Sequence, residues 1–279
     1  MSKKKKDTID NLFESAEKFL EKEDYDKAIK KFEEIIENEP NKAIAYQGLG
    51  FALGEKGNYD LSIENYRKAL EIGPESAWTY YELGTRLDEK GEPEEAIENL
   101  KKAIEIKPDY SSAYRSWGVV LDEMGDQAKA IEKFKKAIEI NPKDARAYYL
   151  WGNTLNEQRN YDEAIDKFKK TIEIEPNYTS AYYDWAKALA YKGDYDGTIE
   201  IFKKIIEIEP NCDIVYHNWG WILNQKGEYD QAIEKLKKAI EINPDYADTY
   251  REWGEALEAK GENKKAKEKY DKANSCEKK

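Results

Sequence analysis

Apolar and polar positions along this chain follow a helical rhythm that breaks and restarts at a fixed interval. Residues 213–246 show one full cycle. Tyr216, Trp219, Gly220 and Leu223 recur at spacings of three and four, which places them on one face of a helix. Gly227 ends that stretch, because glycine takes the left-handed conformation past a helix C-terminus without a Cβ penalty. Tyr229, Ala232, Ile233, Leu236, Ala239 and Ile240 make a second apolar stripe. Asn243-Pro244-Asp245 closes it, since proline disfavours helix in the residue before it. Each cycle therefore predicts two helices joined by a short turn.

The cycle recurs every 34 residues. Pro40, Pro74, Pro108, Pro142, Pro176, Pro210 and Pro244 keep that spacing without an insertion, and only Pro93 lies outside the series. A period of this length marks a stack of supersecondary units rather than one compact core. With each proline at repeat position 32, units start at Ile9, Ala43, Ala77, Ser111, Ala145, Thr179, Asp213 and Ala247. Residues 9–279 then form a single array, preceded by a basic leader over residues 1–8 that is expected to be disordered. Position 8 is small throughout the later repeats (Gly50, Gly84, Gly118, Gly152, Ala186, Gly220, Gly254), which allows the two helices of a unit to approach closely. The last repeat turns polar where the others are apolar, with Lys267 and Asn274, while Ala266, Tyr270 and Ala273 keep an inward face. A stack needs such a polar final helix to close its open end, so the array is expected to be complete.

These residues resemble the tetratricopeptide repeat family. The family pattern of aromatic, Leu-Gly, aromatic, then Ala, aromatic, Ala and Pro is carried here by Tyr114, Trp117, Gly118, Leu121, Ala130, Phe134, Ala137 and Pro142. The resemblance spans residues 9–279 and implies an all-α fold, a right-handed α-solenoid (superhelix) of eight helix-turn-helix TPR units. Two departures stand out. Trp117, Trp151, Trp185, Trp219 and Trp253 occupy position 7, where the family usually has Leu. Leu53 and its counterparts occupy position 11, where it usually has Tyr. Together they read as an exchange of large and small side chains within one core layer.

Composition narrows the function. The net charge is −12, from 46 Lys and Arg against 58 Asp and Glu, so the bulk field repels phosphate and argues against nucleic-acid binding. No apolar stretch is long enough for a transmembrane helix. Residues 1–10 lack the apolar segment of a signal peptide. Cys212 and Cys276 are the two cysteines and lie two repeats apart, which suits a reducing cytoplasm better than a disulfide framework. His217 is the only histidine, so a His-based triad or metal site lacks parts. No cofactor motif is present. The chain reads as a cytoplasmic, non-enzymatic protein.

What remains is an excess of rings, 21 Tyr, 7 Trp and 7 Phe, in a hydrophilic chain. Positions 4, 7, 11, 17, 24 and 34 absorb most of them. The remainder are Phe13, Phe51, Trp78, Tyr81, Tyr149, Tyr183, Tyr191 and Trp221, all on first helices at positions 2, 5, 9 or 13. At 100° per residue that arc lies opposite the core face. The family resemblance implies that it lines a concave groove where peptides or partner helices bind. Arginine follows suit, with Arg115, Arg146 and Arg251 at positions 2 or 5; aromatics and Arg are enriched at binding hot spots. The candidate groove is therefore Phe51, Trp78, Tyr81, Arg115, Arg146, Tyr149, Asn153, Tyr183, Lys187, Tyr191, His217, Trp221 and Arg251. The alternative for Tyr81, Tyr149 and Tyr183 is packing between neighbouring first helices. Only Asn153 fits the carboxylate clamp with which some family members hold chaperone C-termini. The expected partner is a protein or peptide. The alternatives are a second copy of the chain, in a self-assembling scaffold, and a separate catalytic chain for which this one recruits substrate.

Overall fold

The computed structural model of the chain describes residues 3–277, with side chains from residue 9 onward. Of residues 1–8, read as a separate disordered leader, 1 and 2 lie outside that description, and the backbone of 3–8 is helical and continues into α1. Contacts divide the chain into two units, residues 1–147 and 148–279.

The first unit holds α1 (Lys3–Glu21), α2 (Tyr25–Asn38), α3 (Ala43–Glu55), α4 (Tyr59–Ile72), α5 (Ala77–Lys90), α6 (Pro93–Ile106), α7 (Ser111–Glu123) and α8 (Gln127–Ile140). The second carries the greater part of α9 (Ala145–Glu157), then α10 (Tyr161–Ile174), α11 (Thr179–Tyr191), α12 (Tyr195–Ile208), α13 (Asp213–Gln225), α14 (Tyr229–Ile242), α15 (Ala247–Ala259) and α16 (Asn263–Cys276). No strand occurs among the described residues. In the first unit every helix packs on the next in chain order, as do α10 to α16 in the second, and alternate first helices also touch (α3 with α5, α5 with α7, α13 with α15). This is the all-α solenoid architecture that the 34-residue period predicts.

Local chemistry sets the helix ends. Position 16 is Asp, Asn or Glu in every repeat. The carboxylates of Asp24, Asp126 and Asp194 accept backbone N–H groups of Lys27, Lys129 and Gly197 and so cap α2, α8 and α12. The preceding turn needs a left-handed residue, which is glycine at six of its places. Arg159 stands there in the second unit, at φ 61°. Between the two helices of a repeat, position 8 is Gly or Ala, and at several of its glycines there is no room for a side chain. A Cβ on Gly118 would lie 2.5 Å from the Phe134 ring. Position 20 opposite is equally small; where it is Ser62, the hydroxyl donates to the Gly50 carbonyl at 2.6 Å.

In each unit the core forms clusters of small, branched and aromatic residues between the stacked helices. In the first unit Ala28, Phe32, Ile35 and Ala45 are buried, then Ile63, Tyr66, Leu83, Leu87 and Leu100. In the second, Phe202, Ile205, Val215 and Ile222 lead to Ile233, Ala256, Leu257 and Ala266. On α16, Ala266 and Ala273 are buried while Lys267 and Asn274 are exposed.

The position-7 tryptophans do more than exchange size with position 11. They are half-buried, and lysines from the second helices cover their rings. Trp117 lies between Lys101 at 5.3 Å and Lys133 at 4.3 Å from the ring centroid, and Trp253 lies between Lys237 and Lys269. Lys167, Lys169 and Lys235 likewise lie over Trp151, Trp185 and Trp219. An ammonium over an indole face is attracted by the ring quadrupole while its methylene stem packs. A leucine at position 7 would have no such face to offer.

A second ladder joins neighbouring units on the outside. Lys at position 14 pairs with Asp at position 18 of the repeat before it: Lys56 with Asp26 and Lys90 with Asp60 in the first unit, and Lys192 with Asp162, Lys226 with Asp196 and Lys260 with Asp230 in the second. The rung is missing where Met124 replaces the lysine. That methionine is exposed.

Candidate functional site

Position 5, the richest in candidate site residues, faces the turn that enters the next repeat. Its side chain meets position 34, 29 residues on, and the two chemistries match pair by pair. In the first unit Lys42 lies over the Phe13 ring, Tyr81 packs against Tyr110 with centroids 5.1 Å apart, and Arg115 forms an ion pair with Asp144. In the second unit Tyr149 packs against Tyr178 at 5.0 Å and His217 against Tyr246 at 4.8 Å.

Position 5 also reaches the next first helix. The Tyr149 hydroxyl donates to Asp184 at 2.8 Å, Asn218 donates to the Tyr183 hydroxyl at 2.9 Å, and His217 Nδ1 lies 3.1 Å from the Thr249 hydroxyl. Burial is the main reason that the Tyr149 phenol is pushed up to about 12. Asp184 adds to the shift, and a hydrogen bond with Asn153 opposes it. Burial also lowers the His217 pKa, against the opposing charges of Asp248 and Asp213, so the ring is neutral at pH 7. These contacts match the alternative of inter-repeat packing for position 5. They also commit Arg115 to an internal pair rather than to a ligand.

In the first unit an exposed tryptophan packs on a half-buried phenylalanine. Trp78 is 38% exposed and leans on Phe51, with centroids 6.4 Å apart, and on buried Tyr66 at 6.0 Å. Beside it, Arg86 of α5 is buried among Glu55, Glu82 and Glu89. Sequence reasoning passed over Arg86 because position 10 belongs neither to the core pattern nor to the groove arc. Further along, burial, then Glu123 and Glu89, push the Asp88 carboxyl up to about 6. Arg146 at the start of α9 is exposed.

The second unit gathers six further candidates, though not Asn153, around one pocket of about 520 Å³, built across α11, α13 and α15. Tyr183, Lys187 and Tyr191 line it from α11, His217 and Trp221 from α13, and Arg251 from α15. Tyr191 is 61% exposed and Trp221 37%. Tyr183 differs from the other position-5 rings because its position-34 counterpart is the small Cys212. Both residues line an adjoining cavity, and no aromatic from the turn covers the Tyr183 ring among the described residues. Arg251 is held by Asp248 at 2.5 Å and by Glu277. Sequence reasoning missed the carboxylates of this wall, Asp248, Glu252 and Glu255, because acidic residues are common on every helix here. Burial raises the Glu252 pKa, although Asn224 donates to its carboxylate at 3.2 Å. The size and the mixture of rings with a few polar groups are those of a ligand site. Among the described residues no group of three or more His, Cys, Asp or Glu could hold a metal ion, and no helix is long and apolar enough to cross a membrane.

Comparison with known proteins gives a consistent picture. Family models described as TPR repeat match residues 123–158 and 220–261, and models described as tetratricopeptide repeat match 41–109, 145–178 and 180–211. No curated protein matches the chain. Among solved structures, MamA is 34% identical over 58% of this chain and 94% of its own, with a TM-score of 0.53. YrrB, described as a TPR protein with an unusual peptide-binding site, is 26% identical over 67% of this chain and 96% of its own, with a TM-score of 0.52. PilF of Pseudomonas aeruginosa shares the fold at 20% identity, covering 75% of this chain and 95% of its own, with a TM-score of 0.64.

Proposed function

The chain belongs to the tetratricopeptide repeat family, and from that premise we propose that it is a non-catalytic interaction module. Its second unit holds a peptide or a segment of a partner protein in the pocket across α11, α13 and α15. The observation that carries this reading is the exposed pair Tyr191 and Trp221 beside the half-buried Tyr183 ring. Large rings left in water around a concave site are poor for solubility and good for binding, since they bring large contact area at low entropy cost. The likeness to YrrB supports a peptide as the occupant. His217 is engaged by Thr249 and Tyr246, so it serves the packing of the pocket wall.

Affinity purification from an extract of the source organism tests the proposal. Wild-type bait is compared with a Trp221→Ala, Tyr191→Ala bait whose helicity is checked by circular dichroism. Both residues are exposed, so the variant is expected to fold. Loss of the principal partner supports the pocket. An unchanged set of captured proteins, with the variant fully helical, rules it out.

A further inference from the structure

Resting on the reading of this pocket as a binding site, we propose that it selects a segment presenting a Lys or Arg side chain next to an apolar residue. The argument is one of charge complementarity inside an aromatic frame. The pocket's two cations are already committed. Arg251 is neutralised by Asp248 and Glu277, and Lys187 sits over the Tyr191 ring at 5.9 Å from its centroid. Among the described residues Glu252 has only the neutral Asn224 amide as a hydrogen-bond partner, and exposed Glu255 has no ion pair. Lys187 keeps its charge over the ring, but Asp248, Glu252 and Glu255 outnumber Lys187 and Arg251 in the pocket wall, so its net charge is negative.

The rings supply the second half of the recognition. Trp221 and Tyr183 line the cavity with aromatic rings from adjacent first helices. An ammonium or guanidinium between such faces is held by cation–π attraction, and its stem is covered by ring surface. The same group then reaches the carboxylates on α15, where partial burial strengthens an ion pair. The protein already uses this chemistry internally, since lysines cover its position-7 tryptophans. An acidic segment would instead set like charges against Glu252 and Glu255. A purely apolar one would bury Glu252 further with no cation to offset the desolvation. The chain's net charge of −12 also draws cationic segments toward the molecule.

A randomised peptide display library panned against the full chain reads this selectivity directly. Parallel selections use Trp221→Ala and the Glu252→Gln, Glu255→Gln pair, each confirmed helical. Enrichment of Lys or Arg beside an aliphatic or aromatic residue is expected. The best synthetic peptide should bind the Gln pair about tenfold more weakly or worse by fluorescence anisotropy, and raising salt should weaken its binding to wild type. Acidic or uncharged enrichment overturns the cation assignment. So does equal affinity for wild type and the Gln pair. If selection depends on Trp221 but shows no basic bias, only the cation assignment fails. If Trp221→Ala selects the same peptides as wild type, or nothing is enriched, the pocket reading fails with it.

Discussion

Removing either half of the Arg115–Asp144 pair should cost far more than surface charges usually do. The two side chains are 19% and 5% exposed, so neither can be rehydrated without opening the turn. Taking one partner from a buried pair typically costs about 3–5 kcal/mol, because the other charge is left buried. Asp144 is cushioned, since it also accepts the Ala147 N–H at 3.0 Å and the Ser111 hydroxyl at 3.3 Å. Arg115→Ala is therefore expected to cost about 2 kcal/mol. Asp144→Ala removes a helix cap as well and is expected to cost about 3 kcal/mol. The double Ala variant should cost little more than Asp144→Ala alone, a coupling of about 2 kcal/mol. The structure also suggests a replacement. Tyr at both positions copies the Tyr81–Tyr110 pair, gaining about 1 kcal/mol from the rings and losing about as much from the cap. Urea unfolding followed by circular dichroism measures all five proteins. Hydrogen exchange of α7 localises the effect, because units of a stack need not open together. A coupling below about 0.5 kcal/mol, or a Tyr pair as damaging as the Ala pair, would refute matched chemistry at positions 5 and 34.

Three further outcomes are expected. Burial and the charges of Glu123 and Glu89 raise the folded-state pKa of Asp88 to about 6; its stability contribution is thus full below the unfolded value near 4 and fades as pH rises through about 6. Asp88→Asn should flatten that dependence and add about 1 kcal/mol at pH 7, discounted for partial exposure, and equal pH 4 to pH 7 differences in both proteins would count against it. Arg159→Gly relieves a left-handed non-glycine residue and should raise stability by about 0.5–1 kcal/mol; a lower melting temperature contradicts this. Changing Lys101 and Lys133 to Met keeps their stems over Trp117 but removes the charge, for an expected loss of about 1 kcal/mol, and an undiminished melting temperature would show that the ammonium groups contribute nothing.

The repeat, the helix type of every segment and the core faces were all legible in the chain, because each depends on spacing alone. A period of 34 and apolar steps of three and four hold whatever the neighbouring unit does. The candidate site was legible only as an arc. The positions 2, 5, 9 and 13 were picked out by subtraction, and six of the residues named there, from Tyr183 to Arg251, line one pocket. The sequence also held the clue to position 5, for the pairs Phe13 and Lys42, Tyr81 and Tyr110, Arg115 and Asp144, Tyr149 and Tyr178, and His217 and Tyr246 all stand 29 residues apart. Helical periodicity could not reveal it, because the link runs from a helix face to a turn.

By itself, then, the sequence determined the all-α repeat and its phase, since burial of an apolar stripe needs nothing beyond local order along the helix. Tertiary structure decided which exposed-looking side chains are free. Arg115 pairs with Asp144, and Tyr149 packs on Tyr178 and donates to Asp184, while Tyr191 and Trp221 stay exposed. Those outcomes depend on which groups from the next repeat come within hydrogen-bonding or van der Waals range, and such distances exist only once the helices are stacked.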